Sequence, residues 1–529
     1  MRRTPVAGLA LALLVALAPT ASASPLLTLR HDGSTIARED PYLPAPVAQL
    51  PARAPQLPAP ARGASAGHGV RAAATRAKRR TVPGELRRML AAGAIDVPVH
   101  DARRATYDGA RRTHRKLRGA RRAALGAVLR NLDVVAARGE LNASRLPALF
   151  ETVARNRQWW SSGPLLSNGR RVSFQGSPLV WQYYRGEGLQ IQWLGTFGKA
   201  NALWQSRTHD EDLRALLDGA LALAAQRAGG IAFEYLFHFG GGRPPWVSAM
   251  AQATGMQALS RAAVRLGQPQ YFEAARSALG IFRAPPPTGV RIATPLGAHY
   301  LIYSFAPGLR VLNAFTQAVN GLHDFALLAN DPEGRAMFSA GEAQLRSELP
   351  AYDTGSWSRY SLQREADLGY HKLARDFLQN LCARLREDAA RPVPGAPAAS
   401  TGGALPVPGQ PAAAVLDPAP YCDGAARFSS YLRQPPVVSL VSRRARAGRP
   451  ASLRIAVSKP AFVQITVIDG SRTVAVLNAR VAGGRRSLVW SRPRVGAGYE
   501  VLLRATDLAG NVGSAKGELD VLKARKRRG

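Results

Sequence analysis

The stretch VLNAFTQAVNGLHDFA, Val311 to Ala326, has apolar side chains three and four residues apart, which is the period of an α-helix. The same period continues from about residue 197 to residue 432 in segments of similar length, with Gly or Pro between them. Helices paired in this way predict a mainly α fold, an α/α toroid of helical hairpins with a cleft among the loops at one end. The predicted helices span residues 197–208, 210–228, 246–266, 269–283, 309–329, 334–348, 368–388 and 421–432.

Two β-rich regions flank these helices. Residues 171–193 contain VSFQG and LVWQYY, whose β-branched and aromatic content predicts a small β segment before the toroid. From residue 435 the apolar residues alternate with a period of two, and the stretch YEVLLRATDLAGNVG resembles the last strands of Ig-like or fibronectin-like domains. We therefore expect a C-terminal β-sandwich.

Composition divides the chain into regions. The first residues have a charged start, a short apolar run and the small-residue site Ala21-Ser22-Ala23, as in a secretion signal, so we expect a secreted, extracellular protein. The predicted regions are a signal peptide (1–23), a Pro/Ala-rich linker (24–81), an N-terminal helical region (82–169), the toroid (170–432) with an insert (391–420), an Ig-like β-sandwich (435–522) and a basic tail (523–529).

The formal net charge of the chain is +36, so it should bind polyanions at low salt. Nucleic acid, anionic cell-wall polymers and uronic-acid polysaccharides all have the required charge, and an Arg-rich coding bias would give the same composition without any ligand. We expect an acidic polysaccharide as the partner, no specific nucleic acid and no membrane span; the sequence leaves open whether the protein forms a homodimer. No GxSxG, HExxH or P-loop motif occurs, and we predict neither a metal nor a cofactor.

The stretch YDTGSWSRY, Tyr352 to Tyr360, is unusually polar and aromatic for this Ala/Leu-rich chain, and Tyr370 and His371 follow ten residues later. Its DTG tripeptide has the composition of a turn. The tyrosines either pack as half-buried loop residues or form an aromatic floor for a sugar, with phenols positioned for proton transfer. The residues alone leave both readings open.

The same chain contains PPWVSAMAQATGMQAL at residues 244–259, which precedes the helical stretch at residues 311–326 and YDTGSWSRY. In this order the three segments resemble the C-terminal domain of the D-glucuronyl C5-epimerases, and GLQIQWLGTFGKANAL, residues 188–203, is a weaker match. The resemblance covers roughly residues 170–432 and implies the same α/α toroid.

The resemblance implies an isomerase that inverts C5 of uronic acid residues in an acidic polysaccharide by removing and returning a proton. Tyr303, Tyr360 and Tyr370 match tyrosines implicated in the family's site, so we predict that they are catalytic. Because the C5 proton is very weakly acidic, the site must also neutralise the adjacent carboxylate. A phenol that acts as a base needs a pKa below its usual value near 10, which nearby cations would provide.

The sequence departs from the family just before Tyr303. The family's tyrosine follows acidic residues, whereas Leu301 and Ile302 stand here. Two rival functions therefore stay open, a polysaccharide lyase that eliminates the C4 substituent on the same fold and a non-catalytic protein that binds glycans or the cell wall. Glu234 is a further carboxylate that could reach the cleft.

Seven residues are candidates for substrate binding. Cations and donors can neutralise a carboxylate, amides can bind sugar hydroxyls, and aromatic rings can stack on sugars. Structural roles are the alternatives, and Arg359 and Tyr360 should point to opposite sides of an extended segment. The candidates are Arg310, Arg359, His371, Asn313, Trp246, Gln252 and Tyr183.

Two cysteines, Cys382 and Cys422, each lie in a helical pattern. In the resembled family these two helices form an antiparallel pair, and here the insert separates them. A disulfide between the helices would suit an oxidising compartment and would close the insert at its base. Two free buried thiols are the alternative.

Overall fold

The structure, a computed structural model, describes residues 24–44, 80–390 and 416–523. It is 45% helical and 26% strand, so the chain has a mixed helix and sheet content and is less dominated by helices than we predicted. The predicted signal peptide and basic tail, and most of the predicted linker and insert, lie outside the described residues. Within the described ranges, no helix is both long enough and apolar enough to cross a membrane.

The N-terminal part combines one sheet with four helices. The sheet has the order β2-β1-β3-β4-β5, and only its β1–β3 pair is parallel. Its strands are β1 (Ser24–Leu29), β2 (Thr35–Asp40), β3 (Arg171–Phe174), β4 (Ser177–Tyr184) and β5 (Gly188–Ile191), and the helices are α1 (Val82–Ala91), α2 (Val97–Lys116), α3 (Gly119–Ala137) and α4 (Leu146–Ser162).

Two of these strands correct the predicted linker. Residues 24–81 were expected to lack regular structure, but β1 and β2 pair with each other, and β1 also pairs with β3. Apolar residues explain this pairing, because Leu29 is fully buried in the core that α1–α4 share with the later helices. The sequence signal was a short apolar run hidden between polar stretches.

The helical hairpins lie close to their predicted positions. Differences occur where the 210–228 prediction runs into a strand and where the 269–283 prediction divides into two helices. The helices are α5 (Trp193–Ser206), α6 (Asp210–Leu221), α7 (Ala249–Leu266), α8 (Gln270–Ser277), α9 (Gly280–Arg283), α10 (Leu312–Leu328), α11 (Pro332–Glu348), α12 (Leu368–Ala390) and α13 (Ala419–Tyr431).

Three two-stranded hairpins lie between these helices and were not predicted. Their strands have two to four residues, too few for an alternating pattern to stand out. They are β6 (Ala225–Arg227) with β7 (Gly230–Ala232), β8 (Arg291–Thr294) with β9 (Gly297–Tyr300), and β10 (Arg359–Ser361) with β11 (Arg364–Glu365).

The C-terminal strands form two sheets around their own hydrophobic core. The orders are β12-β14-β17 and β13-β19-β18-β15-β16, and the predicted alternation is confirmed, since Leu453, Ile455 and Val457 all face this core. The strands are β12 (Val438–Leu440), β13 (Arg444–Arg446), β14 (Ala451–Val457), β15 (Ala461–Asp469), β16 (Arg472–Val481), β17 (Gly484–Trp490), β18 (Gly496–Asp507) and β19 (Val512–Leu522).

The predicted disulfide is confirmed. Cys382 in α12 is bonded to Cys422 in α13, and their Cα atoms are 5.0 Å apart. The bond joins α12 to α13, the two helices on either side of residues 391–415.

Candidate active site

The three tyrosines predicted to be catalytic come together in the fold. Tyr303 follows β9, Tyr360 lies in β10, and Tyr370 lies in the first turn of α12. The rings of Tyr360 and Tyr370 are 4.6 Å apart, and both residues act electrostatically on the hydroxyl of Tyr303. All three side chains are buried. Residues nearly seventy positions apart in the sequence therefore form one cluster of phenols.

Local structure explains how each phenol reaches this cluster. Ser361 bridges from the β10–β11 hairpin to Val311, next to the start of α10. The side chain of Asp367 accepts a hydrogen bond from the backbone N–H of Tyr370 (2.9 Å), which caps the start of α12. This cap fixes the helix start and holds Tyr370 opposite Tyr360.

Aromatic rings form a wall beside Tyr303. Its ring stacks on Phe305 at 5.2 Å and meets the edges of Trp246 (5.4 Å) and Phe239 (5.5 Å). Tyr184 joins the same wall, 6.2 Å from Phe239. We call this group the aromatic basin, and it comprises Tyr184, Tyr235, Phe237, Phe239, Trp246, Tyr303, Phe305, Tyr360 and Tyr370.

Burial raises the pKa of all three candidate catalytic phenols above the usual value near 10. Arg364 opposes this rise for Tyr360 and Tyr370, and its guanidinium lies 4.8 Å from the centre of the Tyr360 ring. The hydroxyl of Tyr360 has no well-formed hydrogen bond within the described part of the chain, although Tyr303 lies near enough to lower its pKa slightly. The pKa of each phenol thus lies above its usual value, and not below it as we expected for a base.

Arg364 is the cation that the sequence analysis missed. It lies on β11, four residues beyond Tyr360, and the β10–β11 turn folds it back over the Tyr360 ring. Arg359 instead directs its guanidinium toward the carbonyl of Leu362. Arg310 forms an ion pair with Glu348, whose carboxylate also binds His299. Within the described residues, the guanidinium groups of Arg359 and Arg310 therefore bind other partners than the phenols. The β10–β11 hairpin places Arg364 against the phenols instead.

His371 does not line the basin. Its ring is fully buried and stacks on Trp357 at 3.9 Å. Nε2 donates to the carbonyl of Phe428 (2.9 Å), and Nδ1 accepts from the hydroxyl of Ser358 (2.7 Å). Both nitrogens are used, so the prediction that His371 binds substrate is replaced by the structural alternative.

Glu234 and Gln252 are also structural. The carboxylate of Glu234 is buried and binds Arg145 (2.7 and 2.9 Å) and Arg227 (2.7 Å), so it does not reach the cleft as a free acid. The side chain of Gln252 accepts from the N–H of Phe233 and donates to two backbone carbonyls. Such saturated side chains hold loops in place and have no group left for a sugar.

The other three predicted binding residues lie in different parts of the fold. Trp246 is buried in the basin, where it stacks on Tyr235 at 4.3 Å and donates its indole N–H to the carbonyl of Phe237. Asn313 is buried in the first turn of α10. Tyr183 is half-buried on β4 and packs edge-on against Trp160, away from the phenol cluster. Of these three, only Trp246 belongs to the basin.

A buried group of phenols with one arginine defines a class of site suited to moving protons. Residues 227–390, which contain all three phenols, match the family model described as the D-glucuronyl C5-epimerase C-terminus. Over these residues the match confirms the resemblance seen in the sequence.

Individual relatives agree with the family match over a short segment. A D-glucuronyl C5-epimerase of Caenorhabditis elegans is 35% identical over 136 residues, which make up 23% of this chain and 22% of that protein. The matched segment thus spans less than a quarter of the relative.

Solved structures are only distantly similar. An endo-β-1,4-glucanase, CMCax from Acetobacter xylinum, shares 13% identity at a TM-score of 0.28, over 40% of this chain and 72% of the other. A double mutant of the Cellulomonas fimi endo-β-1,4-mannanase shares 14% identity at a TM-score of 0.13, over 75% and 85% of the two chains. These scores are too low to carry an argument about fold or function.

Proposed function

We propose that this protein is a secreted carbohydrate-active enzyme that inverts C5 of uronic acid residues within an acidic polysaccharide. The observation that carries the proposal is the convergence of Tyr303, Tyr360 and Tyr370 in one buried site beside Arg364. The match of residues 227–390 to the epimerase family model supports the reaction class. The formal net charge of +36 suits a polyanionic substrate.

The proposed reaction uses the two sides of the basin differently. Tyr303 stands on the aromatic wall, whereas Tyr360 and Tyr370 form a pair 4.6 Å apart. A uronate bound between them would lose its C5 proton to a phenolate on one side and regain a proton from a neutral phenol on the other. Arg364 would neutralise the carboxylate, so that the negative charge developing on its oxygens is tolerated in a dry pocket.

The raised pKa values bear on both halves of this reaction. Neutral phenols are ready to return a proton, which is the second half. The first half requires one phenolate, and the positive charge of Arg364 favours its formation at Tyr360 and Tyr370. We therefore propose that proton abstraction limits the rate.

The finer architecture is part of this proposal. We propose that the hairpins α5–α13 form an α/α toroid whose open end holds the basin, and that β12–β19 form an Ig-like sandwich. The pairing of α7 with α10 and of α12 with α13, and the separate core of the C-terminal strands, support this arrangement.

Proton NMR in D2O tests the function. The purified protein is incubated with an unsulfated polymer that contains glucuronic acid, and the C5 proton signal is followed. Loss of that signal together with new iduronic-type resonances is the expected result. Growth of a near-ultraviolet absorbance from a C4–C5 double bond would instead identify a lyase, and saturable binding with neither change would identify a glycan-binding protein.

A further inference from the structure

A basic cleft lies between α2 and α3, and the proposed reaction makes no use of it. The charged groups that line this basic cleft are Arg111 and Arg115 of α2 and Arg130 and Asp133 of α3, all of which precede residue 227, where the family match begins. Three guanidinium groups against one carboxylate leave two positive charges uncompensated. The volume is about 240 Å³. Since a water molecule takes about 30 Å³ in the liquid, a small anion fits there with several waters.

Arg111 is held in place by its neighbours in the basic cleft. Its Nη1 donates to the hydroxyl of Tyr107 (3.0 Å), and that hydroxyl donates in turn to Asp133 Oδ1 (3.0 Å). Tyr107 is buried, and the guanidinium carbon of Arg111 lies 5.5 Å from the centre of its ring. Because Tyr107 uses only one of the guanidinium N–H groups, the others remain available to an anion. A guanidinium that is already fixed loses little side-chain entropy on binding.

A glycine forms the floor of the basic cleft. A Cβ on Gly126 would lie 2.8 Å from His114 Nε2 and 3.3 Å from Arg130 Nη1, so both nitrogens approach the same bare stretch of α3. Within the described residues, the side chains of His114, Arg115 and Arg130 form no hydrogen bond and no ion pair. The helix dipole favours a cation such as Arg115 in the last turn of α2. Arg130 lies in the middle of α3, where the dipole gives no such reason for its position.

Electrostatic effects on His114 indicate that the basic cleft is positive. Burial lowers the pKa of His114, and the positive charges of Arg122, Arg130 and Arg111 lower it further. The imidazole is therefore neutral at pH 7 and above, where it can donate one N–H to a ligand. Arginines from two helices thus act on the one point that lies over Gly126.

We propose that the basic cleft binds a tetrahedral oxyanion with two negative charges, either inorganic phosphate or the phosphate group of a monoester. Such an anion neutralises the two uncompensated positive charges. Donors that come from two helices suit tetrahedral oxygens, whereas a planar carboxylate is satisfied by a single guanidinium in a bidentate pair. Arg115 and Arg130 are exposed, so the organic part of an ester can extend into solvent. The inference does not depend on the reaction proposed for the aromatic basin.

Titration calorimetry of the purified protein tests the site, at about pH 8 and about 0.15 M NaCl to screen distant charges. The probes are inorganic phosphate and glucose 6-phosphate, with acetate as the planar control. We expect inorganic phosphate to bind one site per chain with a Kd of about 1 mM or lower, and acetate to bind at least about tenfold more weakly. Similar binding of both phosphates would identify monoesters as ligands, and binding of inorganic phosphate alone would identify the free anion. Acetate binding as tight as phosphate binding, or no saturable phosphate binding at millimolar concentration, would overturn the proposal.

Gly126→Ala separates a defined site from general positive charge. It changes no charge, but its methyl group takes the place that His114 Nε2 and Arg130 Nη1 approach. Phosphate binding should weaken about tenfold, while thermal unfolding stays near that of the unmodified protein, because only the ends of side chains must move and alanine favours a helix.

Arginine variants provide the matched control. Arg130→Gln should weaken phosphate binding about tenfold, since it removes charged hydrogen bonds. Arg214→Gln removes an exposed arginine from α6 and should have almost no effect. Equal effects of the two glutamine variants, or unchanged binding by Gly126→Ala, would show that net charge alone attracts the anion and would overturn the proposal.

The imidazole of His114 gives a second readout. In ¹⁵N-labelled protein its ring resonances are those lost in His114→Gln, and inorganic phosphate should shift them. The pKa of His114 should rise when phosphate binds, because the dianion offsets the charges of the nearby arginines. Resonances that stay fixed while phosphate binds in the calorimeter would place the anion elsewhere and reject the basic cleft as its site.

Discussion

At the scale of single residues, the basin combines groups that favour opposite protonation states. Burial makes a phenolate at Tyr303, Tyr360 or Tyr370 costly, and Arg364 recovers only part of that cost. The site therefore holds neutral phenols. Proton transfer in such a site depends on the hydroxyl groups themselves and on pH, and both dependences can be measured.

Removing single hydroxyls tests the assignment of the phenols. Tyr360→Phe and Tyr370→Phe should each lower the C5–H exchange rate by about 100-fold or more, because a positioned acid or base contributes roughly that much. Thermal unfolding should stay near that of the unmodified protein. Tyr499→Phe is the control, since its hydroxyl donates to the carbonyl of Arg494 in the C-terminal sheets. Near-normal exchange by both basin variants would reject the site.

The pH dependence of exchange follows from the raised pKa values. A base whose pKa lies above 10 is almost entirely protonated at neutral pH, and its phenolate fraction grows about tenfold per pH unit below that pKa. The exchange rate should therefore rise about tenfold per unit between about pH 7 and pH 9. A rate that peaks below neutrality would show that the abstracting base is not one of these phenols.

His371 should make the fold sensitive to acid. Burial lowers the pKa of this histidine from the ordinary value of 6.5 to about 4. Below pH 6.5 His371 is protonated in the unfolded chain but stays neutral in the folded one. The free energy of unfolding therefore falls as the pH drops from 6.5 toward 4, by up to about 3 kcal/mol. In urea unfolding, His371→Gln should lose less stability across this range than the unmodified protein, and an equal loss by both would contradict the prediction.

At the scale of elements, helix periods were predictable and short hairpins were not. The stretch that forms α10 has a regular apolar period over many residues, whereas β10 and β11 have three and two residues. This difference decided which site residues could be foreseen. Tyr303, Tyr360 and Tyr370 were found by resemblance to a family, but Arg364 reaches Tyr360 only through the β10–β11 turn.

Close packing between α7 and α10 gives a test at this scale. A Cβ at Gly321 would lie 2.3 Å from the carbonyl oxygen of Ala253, which is backbone and cannot move aside. Gly321→Ala should therefore destabilise the protein by about 1–3 kcal/mol, despite the better helix propensity of alanine.

Gly424 in α13 provides the matched control for the Gly321→Ala variant. Its nearest neighbours would lie 3.5 Å from an added Cβ, an ordinary contact distance. Gly424→Ala should be neutral or stabilise the fold by up to about 1 kcal/mol. Equal destabilisation by the two alanine variants in urea unfolding would show that the close approach of α7 and α10 does not limit stability.

At the scale of the whole molecule, the C-terminal sheets support the segment that carries Tyr360. Lys459 is buried and donates to the carbonyls of Tyr431 (2.6 Å) and Gln434 (2.5 Å) and to Asp507 Oδ2 (2.9 Å). Its Nζ lies 5.5 Å from the centre of the Trp357 ring. Glu365 adds a second link, because its carboxylate accepts from the backbone N–H of Gly483 (2.9 Å).

This contact predicts that the helical and β parts unfold together. Lys459→Met keeps the bulk of the side chain but leaves Asp507 without its buried ion-pair partner, so it should cost about 3–5 kcal/mol of unfolding free energy. Lys516→Met removes a lysine from an exposed ion pair with Glu500 and should have almost no effect. Calorimetry distinguishes the two, and equal melting temperatures would mean that the buried contact does not couple the parts.

The amino-acid sequence alone predicted the helical hairpins, the alternating C-terminal strands and the resemblance to the epimerase family, because each depends on local period, composition or motif order. The surroundings of each side chain depended on tertiary structure. The carboxylate of Glu234 binds Arg145 and Arg227. The ring nitrogens of His371 are hydrogen-bonded to Ser358 and Phe428. Burial raises the pKa of Tyr303, Tyr360 and Tyr370, which we had expected nearby cations to lower. These outcomes depend on contacts between distant segments, which no local pattern records.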